Sequence, residues 1–228
     1  MRLSKFLTLS IPMSRNQAKF FIRKRRLSVD GKVVTDPNSE LSKDSHVVFD
    51  GKQISIAGYQ YIVLHKPPSY ACTSRDSEFA SVLQLIKTRS QNRSYYFANA
   101  LGPEQTGLVL LSDDARWANR MRRKLSKKAF VYLASLKGVV SEYQIPQIKE
   151  AMMASADNNI GTIIDVQRHD ETSLLLSLNQ VLNQNLLNVF YSFDLIINSL
   201  HLQKMGVLSL GDLKEGDYLE LTENEIKV

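Results

Sequence analysis

Residues 100–114 hold the side chains whose types and spacing come closest to catalytic chemistry. The segment reads ALGPEQTGLVLLSDD, so that one carboxylate, Glu104, precedes an apolar run and two more, Asp113 and Asp114, follow it. A positioned carboxylate can act as a nucleophile or as a general acid or base. Any acid–base or nucleophilic chemistry in this chain is therefore to be sought here first.

Other reactive residue types are isolated along the chain. His65 and His201 lack Cys, His or Asp neighbours at the spacing of a metal site, and no glycine-rich phosphate loop is present. We expect both histidines to be structural, and we expect neither a metal nor a cofactor. The single cysteine, Cys72, excludes an internal disulfide and fits a reducing compartment, which predicts a cytoplasmic protein. We interpret Cys72 as a small buried residue.

The positive charge is concentrated at the N-terminus. The 228 residues carry a net charge of +6 and have a pI near 9.3. Residues 1–52 contain eleven Lys/Arg and five Asp/Glu, whereas the remainder contains eighteen of each. A basic module therefore precedes a neutral body, and a polyanionic partner is permitted. No apolar run is long enough for a membrane span, which predicts no membrane partner.

The basic module has the pattern of a helix followed by a hairpin. Ser14 is a candidate helix N-cap, and apolar residues follow it at spacings of three and four. Asp30-Gly31 is a strong turn signal between apolar strands. The candidate RNA-binding cations of this module are Arg15, Lys19, Arg23, Lys24, Arg25 and Arg26. The alternative is a solvated helix face without a ligand.

The remainder of the chain mixes strands and helices, which predicts an α+β fold with a mainly antiparallel sheet. Domains are expected at residues 1–56 and 57–228. The predicted strands are Tyr61–Leu64, Gly107–Ser112, Phe130–Leu136, Thr162–Val166, Leu174–Leu178 and Asp217–Leu221, and the predicted helices are Phe79–Lys87, Ala115–Lys124, Glu142–Met153 and Asn185–Leu195.

Two resemblances follow from the order of these residues. The N-terminal order, from Arg2-Leu3 through Ser14-Arg15 to Val29-Asp30-Gly31, resembles the S4-type RNA-binding domain. The strand that begins at Tyr61 and the Gly107–Asp114 segment resemble the RsuA-like pseudouridine synthases, and the resemblance continues to about Ile226. It implies an S4-type domain followed by a pseudouridine-synthase-like domain. It also implies a target uridine that leaves its stack to enter a pocket.

The catalytic positions implied by this resemblance are altered. The family's catalytic Asp falls on Gly102, its neighbouring Arg on Ala100, and its stacking Tyr on Phe130. The family's cationic motif falls on residues 181–189, which carry no charge. The Asp pair after the strand belongs to the family's own pattern, which predicts turn or cap residues. Glu104 falls where the family commonly has a second acid, and it is the candidate substitute for the lost Asp.

A second cluster of cations lies in the body of the chain. Arg116, Arg120, Arg123, Lys124 and Lys127 recur at spacings of three and four, so most would share one helix face. This helix follows the mapped active-site strand. The cluster is interpreted either as a retained RNA-binding face or as ordinary solvated surface.

Three hypotheses follow from the sequence. The first is a catalytically degenerate member of the RsuA-like family that binds structured RNA, with ribosomal RNA as the expected partner. The second is an active synthase that isomerises uridine with Glu104. The third places a protein partner, or a second copy, at the nearly uncharged residues 174–202, against the simpler interpretation of core plus neutral surface. We expect a monomer.

Overall fold

A computed structural model describes residues 1–11, 13–42, 44–55, 58–75, 77–88, 93–155, 163–179 and 184–227. The chain forms two compact units, one of Met1–Tyr59 with Thr88–Ser94 and the other of Gln60–Lys87 with Tyr95–Val228. The predicted boundary at residues 56 and 57 stays a prediction.

The first unit is a helix pair packed on a small antiparallel sheet. Its helices are α1 (Leu3–Ser10) and α2 (Arg15–Arg23), and its strands are β1 (Leu27–Val29), β2 (Lys32–Val33), β3 (Val47–Phe49) and β4 (Lys52–Ile54), in the order β2-β1-β3-β4. Buried Leu3, Leu7, Ala18 and Ile22 join the two helices over the sheet. Burial of this apolar surface stabilises elements that are too short to be stable alone.

The local signals identified in this part of the sequence are confirmed. Ser14 Oγ accepts from the Gln17 N–H, and the Gln17 side chain accepts from the Ser14 N–H, which forms a capping box. Asp30 and Gly31 both have positive φ, 48° and 80°, at the turn between β1 and β2. This is the backbone that a two-residue turn requires to match the strand twist.

The second unit is built on a nine-stranded sheet. The nine strands of this sheet are β5 (Tyr61–Lys66), β8 (Tyr96–Phe97), β9 (Thr106–Ser112), β10 (Phe130–Lys137), β11 (Ile163–Asp170), β12 (Ser173–Leu178), β13 (Ile196–Met205), β14 (Leu208–Ser209) and β15 (Tyr218–Leu221). The remaining two strands of the unit, β6 (Tyr70–Ala71) and β7 (Ala80–Ser81), pair with each other in a separate two-stranded sheet. The helices of the unit are α3 (Ala115–Leu125), α4 (Gln144–Ser155) and α5 (Gln184–Tyr191). The main path of the nine-stranded sheet is β11-β12-β10-β13-β9-β5-β15, with β14 beside β13 and β8 beside β9.

All described pairs in this sheet are antiparallel except the one at its centre. There β13 runs parallel to β9 through only two residue pairs, His201 with Thr106 and Leu202 with Gly107. Gly107 has φ 114°, and a Cβ built on it would lie 2.2 Å from the Leu202 carbonyl oxygen. Only glycine allows this approach of the two backbones. The mainly antiparallel α+β architecture predicted from the sequence is confirmed.

Two predicted elements differ from the structure. The helix predicted at Phe79–Lys87 is wrong, because the chain there forms β7 and a 3₁₀ helix, Val82–Leu85. The helix predicted at Asn185–Leu195 ends at Tyr191, and the ten-residue strand β13 that follows was not predicted. In the sequence from Asn185 to Met205, apolar residues do not recur with either a helical or a strand period, so the change from helix to strand is not visible in the pattern.

Candidate functional site

The segment before β9 forms a closed turn around Gly102. The Gly102 N–H donates to Gln105 Oε1 at 2.9 Å, and the Gln105 N–H donates to the Gly102 carbonyl at 3.1 Å. The φ of Gly102 lies outside the left-handed region, and a Cβ there would have its nearest contact at 3.7 Å, with the Gln105 side chain. The backbone therefore does not require glycine at this position, and an added Cβ would have only ordinary van der Waals contacts.

A buried lysine holds this turn from the neighbouring strand. Lys66, at the end of β5, is fully buried, and its ammonium group donates to the carbonyls of Pro67, Pro103 and Gln105 at 3.0, 2.8 and 2.6 Å. Burial lowers the pKa of Lys66 below its ordinary value, and nearby Cys72 and Glu104 act in the opposite direction. Sequence reasoning missed this residue as a site element. A single lysine that ends an apolar strand before a Pro-Pro pair was the available signal.

A buried amide fixes the strand on the other side of the turn. The Asn99 side chain donates to the Leu108 carbonyl at 2.9 Å and accepts from the Leu110 N–H at 2.8 Å. Asn99 is 7% exposed, so these bonds are sheltered from water. The turn that carries Gly102 is thus held firmly on both sides, although Gly102 itself contributes no functional group.

A cavity of about 350 Å³ opens beside Gly102. Its lining residues are Gly102, Pro103, Glu104, Gln105, Tyr191, Ile197, Asn198, Ser199 and Leu200. Glu104 is exposed and supplies the only carboxylate among the lining residues that the structure describes. The structure therefore places Gly102 and Glu104 at the same cavity, whose opposite lining comes from Tyr191 of α5 and from residues 197–200 of β13.

Phe130 lies in a different place. It is 3% exposed and lines a second cavity, of about 340 Å³, together with Ala100, Asn99 and Arg122. The Arg122 guanidinium donates hydrogen bonds to the Phe97 carbonyl at 2.6 Å and to Asn119 Oδ1, on the same helix, at 3.1 Å. The structure does not bring the predicted stacking position and Gly102 into the same cavity.

The segment aligned with the family's cationic motif is only partly described. Residues 181–183 lie outside the described residues, as do the side chains of residues 184–187. Asn188 is exposed, whereas Val189 and Phe190 are buried and fix the end of α5 to the core. Of the apolar residues within 174–202, Leu174, Leu176, Leu178, Leu195, Leu200 and Leu202 are buried core residues.

The six candidate RNA-binding cations of the first unit are all exposed, but they differ in their surroundings. The Arg26 guanidinium forms an ion pair with Asp50 and stacks on Phe21 and Phe49, at 4.4 and 5.0 Å from their ring centroids. This hydrogen-bonded pair lowers the pKa of the Asp50 carboxyl. Lys19 and Arg23 instead line a polar depression of about 340 Å³ with residues 35–38.

The five candidate cations along α3 share one face, as predicted. Arg116, Arg120, Arg123, Lys124 and Lys127 are exposed and line a groove of about 760 Å³ along α3. Arg120 also forms an ion pair with Glu223. Asp114 caps α3 by accepting from the Arg116 and Trp117 N–H groups, and Asp113 accepts from the Gln60 N–H at 2.7 Å. The cap role predicted for Asp114 is confirmed, whereas Asp113 bonds to the backbone of a residue distant in sequence.

The two isolated histidines meet at the junction of β13 and β9. Their ring centroids are 5.1 Å apart, His65 Nδ1 donates to the Leu213 carbonyl, and His201 Nδ1 is hydrogen-bonded to the Thr106 hydroxyl at 2.9 Å. Burial, and then the neighbouring His65, lower the pKa of His201. Cys72 is half-buried rather than fully buried as predicted, and this burial raises the pKa of its thiol. Within the described residues, no three His, Cys, Asp or Glu side chains are grouped to hold a metal ion, and no helix could cross a membrane.

Comparison with known proteins covers both units. The profile of the RNA pseudouridylate synthase family matches residues 60–181, and that of the S4 domain matches residues 1–48. The ribosomal small subunit pseudouridine synthase A of Escherichia coli is 27% identical over 228 residues, covering 99% of this chain and 98% of that protein. The protein of the same name from Pasteurella multocida is 25% identical, with the same coverage.

A solved structure agrees in fold. The crystal structure of a pseudouridylate synthase superposes with a TM-score of 0.61 at 23% identity, over 99% of this chain and 97% of that one. The agreement in fold and the two family matches support the same family assignment. The chain belongs to the RNA pseudouridylate synthase family and carries an S4 domain at its N-terminus.

Proposed function

We propose that this protein is a catalytically degenerate member of its family that binds structured RNA, with ribosomal RNA as its partner. The observation that carries the proposal is the Gly102 turn, which is held by its hydrogen bonds and by a supporting lysine but has no carboxylate at position 102. It would act as a monomeric placeholder or assembly factor in the cytoplasm. In this proposal, residues 1–56 form the S4-type RNA-binding domain and residues 57–228 form the pseudouridine-synthase-like domain.

The loss of several catalytic features together supports degeneracy. A buried cation that has lost its carboxylate is destabilising, at a cost of about 3–5 kcal/mol for a broken buried pair. Once the Asp position had become Gly102, replacing the motif's cations by the neutral residues at 181–189 relieved that cost. A lone substitution would have changed one member of the set and left the others.

The exposed cations support RNA binding. Those of the first unit are Arg15, Lys19, Arg23, Lys24, Arg25 and Arg26, and those of α3 are Arg116, Arg120, Arg123, Lys124 and Lys127. Side chains of this kind contact phosphates and supply affinity and position more than sequence choice. The relatives' name, ribosomal small subunit pseudouridine synthase A, makes ribosomal RNA the RNA of choice for testing.

The binding proposal is tested by affinity measurements over a range of salt concentrations. With about five phosphate contacts, the logarithm of the affinity should fall with the logarithm of salt concentration with a slope of about −4. Arg23→Glu should weaken binding more than Arg26→Glu or Arg120→Glu, because the last two residues are already paired with carboxylates. Lys137→Glu, an equal charge change at an exposed strand end, is the matched control. Equal effects of Arg23→Glu and Lys137→Glu would contradict the assigned surface.

The second candidate is an active synthase that uses Glu104. The observation in its favour is that Glu104 lines the cavity beside Gly102. Against it stand the exposure of Glu104 and its two-residue displacement, since a misplacement of about 1 Å can reduce a rate 100-fold. If Glu104 were the catalytic group, Glu104→Gln would abolish turnover without changing RNA affinity.

A pseudouridine map of ribosomal RNA separates the two candidates. Cells with and without the gene should give identical maps if the protein is degenerate. A site that disappears on deletion and returns with the wild-type gene, but not with Glu104→Gln, would establish the second candidate instead.

A protein partner at residues 174–202 remains a third, lesser proposal. Among the described residues of this stretch, Tyr191 and Ile196 are the most exposed large apolar side chains, at 59% and 45%. Sedimentation of the purified chain as a monomer, unchanged by Ile196→Ser, would argue against a second copy at this surface.

A further inference from the structure

We propose that the exposed ring of Phe20, on α2 of the first unit, is a platform on which one base of single-stranded RNA stacks. The inference rests on the proposed RNA-binding function. It adds a residue that selects single-stranded segments over duplex. The cations of this unit cannot make that selection alone, because phosphates are present in both forms of RNA.

Phe20 is unusual among the phenylalanines of this chain. All nine lie within the described residues, and Phe20 alone is exposed, with 55% of its surface open to solvent. It lies on α2 between buried Ala18 and Ile22, yet its ring lies outside the core that those two residues help to form. An exposed aromatic face can accept any base, since every base has an aromatic face of its own.

The Phe20 ring is held in place by neighbours of the same unit. It packs edge to face with Phe21, at a centroid distance of 5.6 Å and an interplanar angle of 68°. The Phe21 ring is itself fixed, because it packs against Phe49 at 5.6 Å and contacts the Arg26 guanidinium at 4.4 Å. A ring that is oriented before binding loses little conformational freedom when a base stacks on it.

Cations flank this ring on the same helix. Lys19 and Arg23 line the polar depression of about 340 Å³, and Arg23 is three residues after Phe20. Side chains three apart on a helix are neighbours, so a phosphate in the depression leaves its base close to the ring. The Lys24 ammonium lies 5.7 Å from the Phe20 centroid. Because base stacking is stronger than an exposed cation–π contact, a base can replace Lys24 on the ring and release the ammonium to a phosphate.

The competing interpretation is a solvated apolar residue without a ligand. Single exposed apolar residues are common on protein surfaces. Phe20 differs from most of them because exposed cations precede and follow it in the sequence. These are Lys19, Arg23, Lys24 and Arg25. A basic surface that contains an exposed aromatic ring is the combination by which proteins bind single-stranded nucleic acid.

The test compares a short oligouridine with the same RNA backbone from which every base has been removed. The two ligands carry equal charge, so only the bases distinguish them. Phe20→Leu should weaken binding of oligouridine about five- to hundredfold, with an unchanged salt slope, and should leave binding of the base-free backbone unaltered. Phe20→Tyr, which keeps an aromatic ring, should bind oligouridine like the wild type. Arg23→Glu should weaken binding of both ligands.

Tyr143→Leu is the matched control, because Tyr143 is 74% exposed but lies in the second unit, before α4. It should change the binding of neither ligand. In an oligouridine that contains 5-iodouridine, ultraviolet irradiation should cross-link the RNA to the peptide of Phe20, and Phe20→Leu should lose this product. Wild-type melting of Phe20→Leu, expected for an exposed position, excludes a folding defect.

The outcomes separate this inference from the proposed function. If the wild-type protein binds oligouridine and the base-free backbone equally, with a steep salt slope, RNA binding stands and the Phe20 platform is overturned. The platform is also overturned if Phe20→Leu binds oligouridine like the wild type, or if the protein binds ribosomal RNA but not oligouridine. If the wild-type protein binds none of these RNAs, both proposals fail.

Discussion

Gly107 and Gly102 lie on one stretch of chain, yet the structure predicts opposite consequences when each is replaced by alanine. At Gly107 the φ of 114° disfavours any side chain, and the new Cβ would lie 2.2 Å from the carbonyl oxygen and 2.6 Å from the nitrogen of Leu202. At Gly102 the new Cβ would have only ordinary contacts, the nearest at 3.7 Å. The pair therefore compares a glycine that the backbone requires with one that it does not.

The size of the difference follows from two contributions. A residue held in a sparsely populated backbone conformation costs about 1–3 kcal/mol, and overpacking of a filled site costs about 1–3 kcal/mol more. We therefore expect Gly107→Ala to lower the free energy of unfolding by about 4 kcal/mol. For a chain of this length, that corresponds to a fall in Tm of about 8–16 °C. Gly102→Ala should keep or raise Tm slightly, because it restricts the unfolded chain by about 0.4–1 kcal/mol.

Thermal unfolding of the two full-length variants, followed by circular dichroism at one scan rate, measures this contrast. The reasoning would be refuted if Gly107→Ala melted within about 2 °C of wild type, or if Gly102→Ala lost as much Tm as Gly107→Ala. The second result would mean that glycine at position 102 is a structural requirement. The argument that a functional side chain has been lost there would then fall.

Three further expectations concern the groups around the turn and the first unit. Lys66→Met should lower the free energy of unfolding by about 3 kcal/mol in urea melts, because three carbonyls lose their donor. Burial lowers the pKa of His201 in the folded protein, so the imidazole binds a proton more readily in the unfolded chain. The contribution of His201 to the free energy of unfolding should therefore be fully present above about pH 6.5, the ordinary pKa of the side chain, and should be lost as the pH falls through the lowered pKa of the folded state. His201→Gln should flatten this acid-side fall of Tm, and a slope identical to wild type would exclude His201 as its source. Asp50→Asn should free Arg26 for phosphate and steepen the salt slope of RNA affinity by about 0.7–0.9, whereas an unchanged slope would show that Arg26 does not reach the RNA.

The elements that the sequence predicted well are those with strong local signals. The capping box at Ser14, the turn at Asp30-Gly31 and the cap of α3 at Asp114 each depend on one or two side chains that bond to the adjacent backbone. Such signals are complete within a few residues. They do not depend on how the rest of the chain folds.

The features that the sequence did not reveal depend on contacts between distant segments. Lys66 is recognisable as a support of the turn only when its distances to the Pro103 and Gln105 carbonyls are known. Asn198 gains its place in the lining of the cavity beside Gly102 from a bulge in the pairing of β13 with β10, and pairing register is a property of two strands. The assignment of the stacking role to Phe130 rested on alignment alone, which does not register that its ring is buried.

The groups that support the turn around Gly102 are separate from the side chain at position 102, which makes the proposed loss of the reaction compatible with an intact fold. Lys66 bonds to backbone carbonyls of the turn, and Asn99 bonds to the backbone of β9, so neither uses the side chain at position 102. Gly107 is required by the approach of Leu202, again through backbone atoms. A substitution at Gly102 thus leaves each of these bonds intact. Under the proposed function, selection for RNA binding alone is sufficient to maintain the turn, because the contacts that stabilise it do not involve a side chain at position 102.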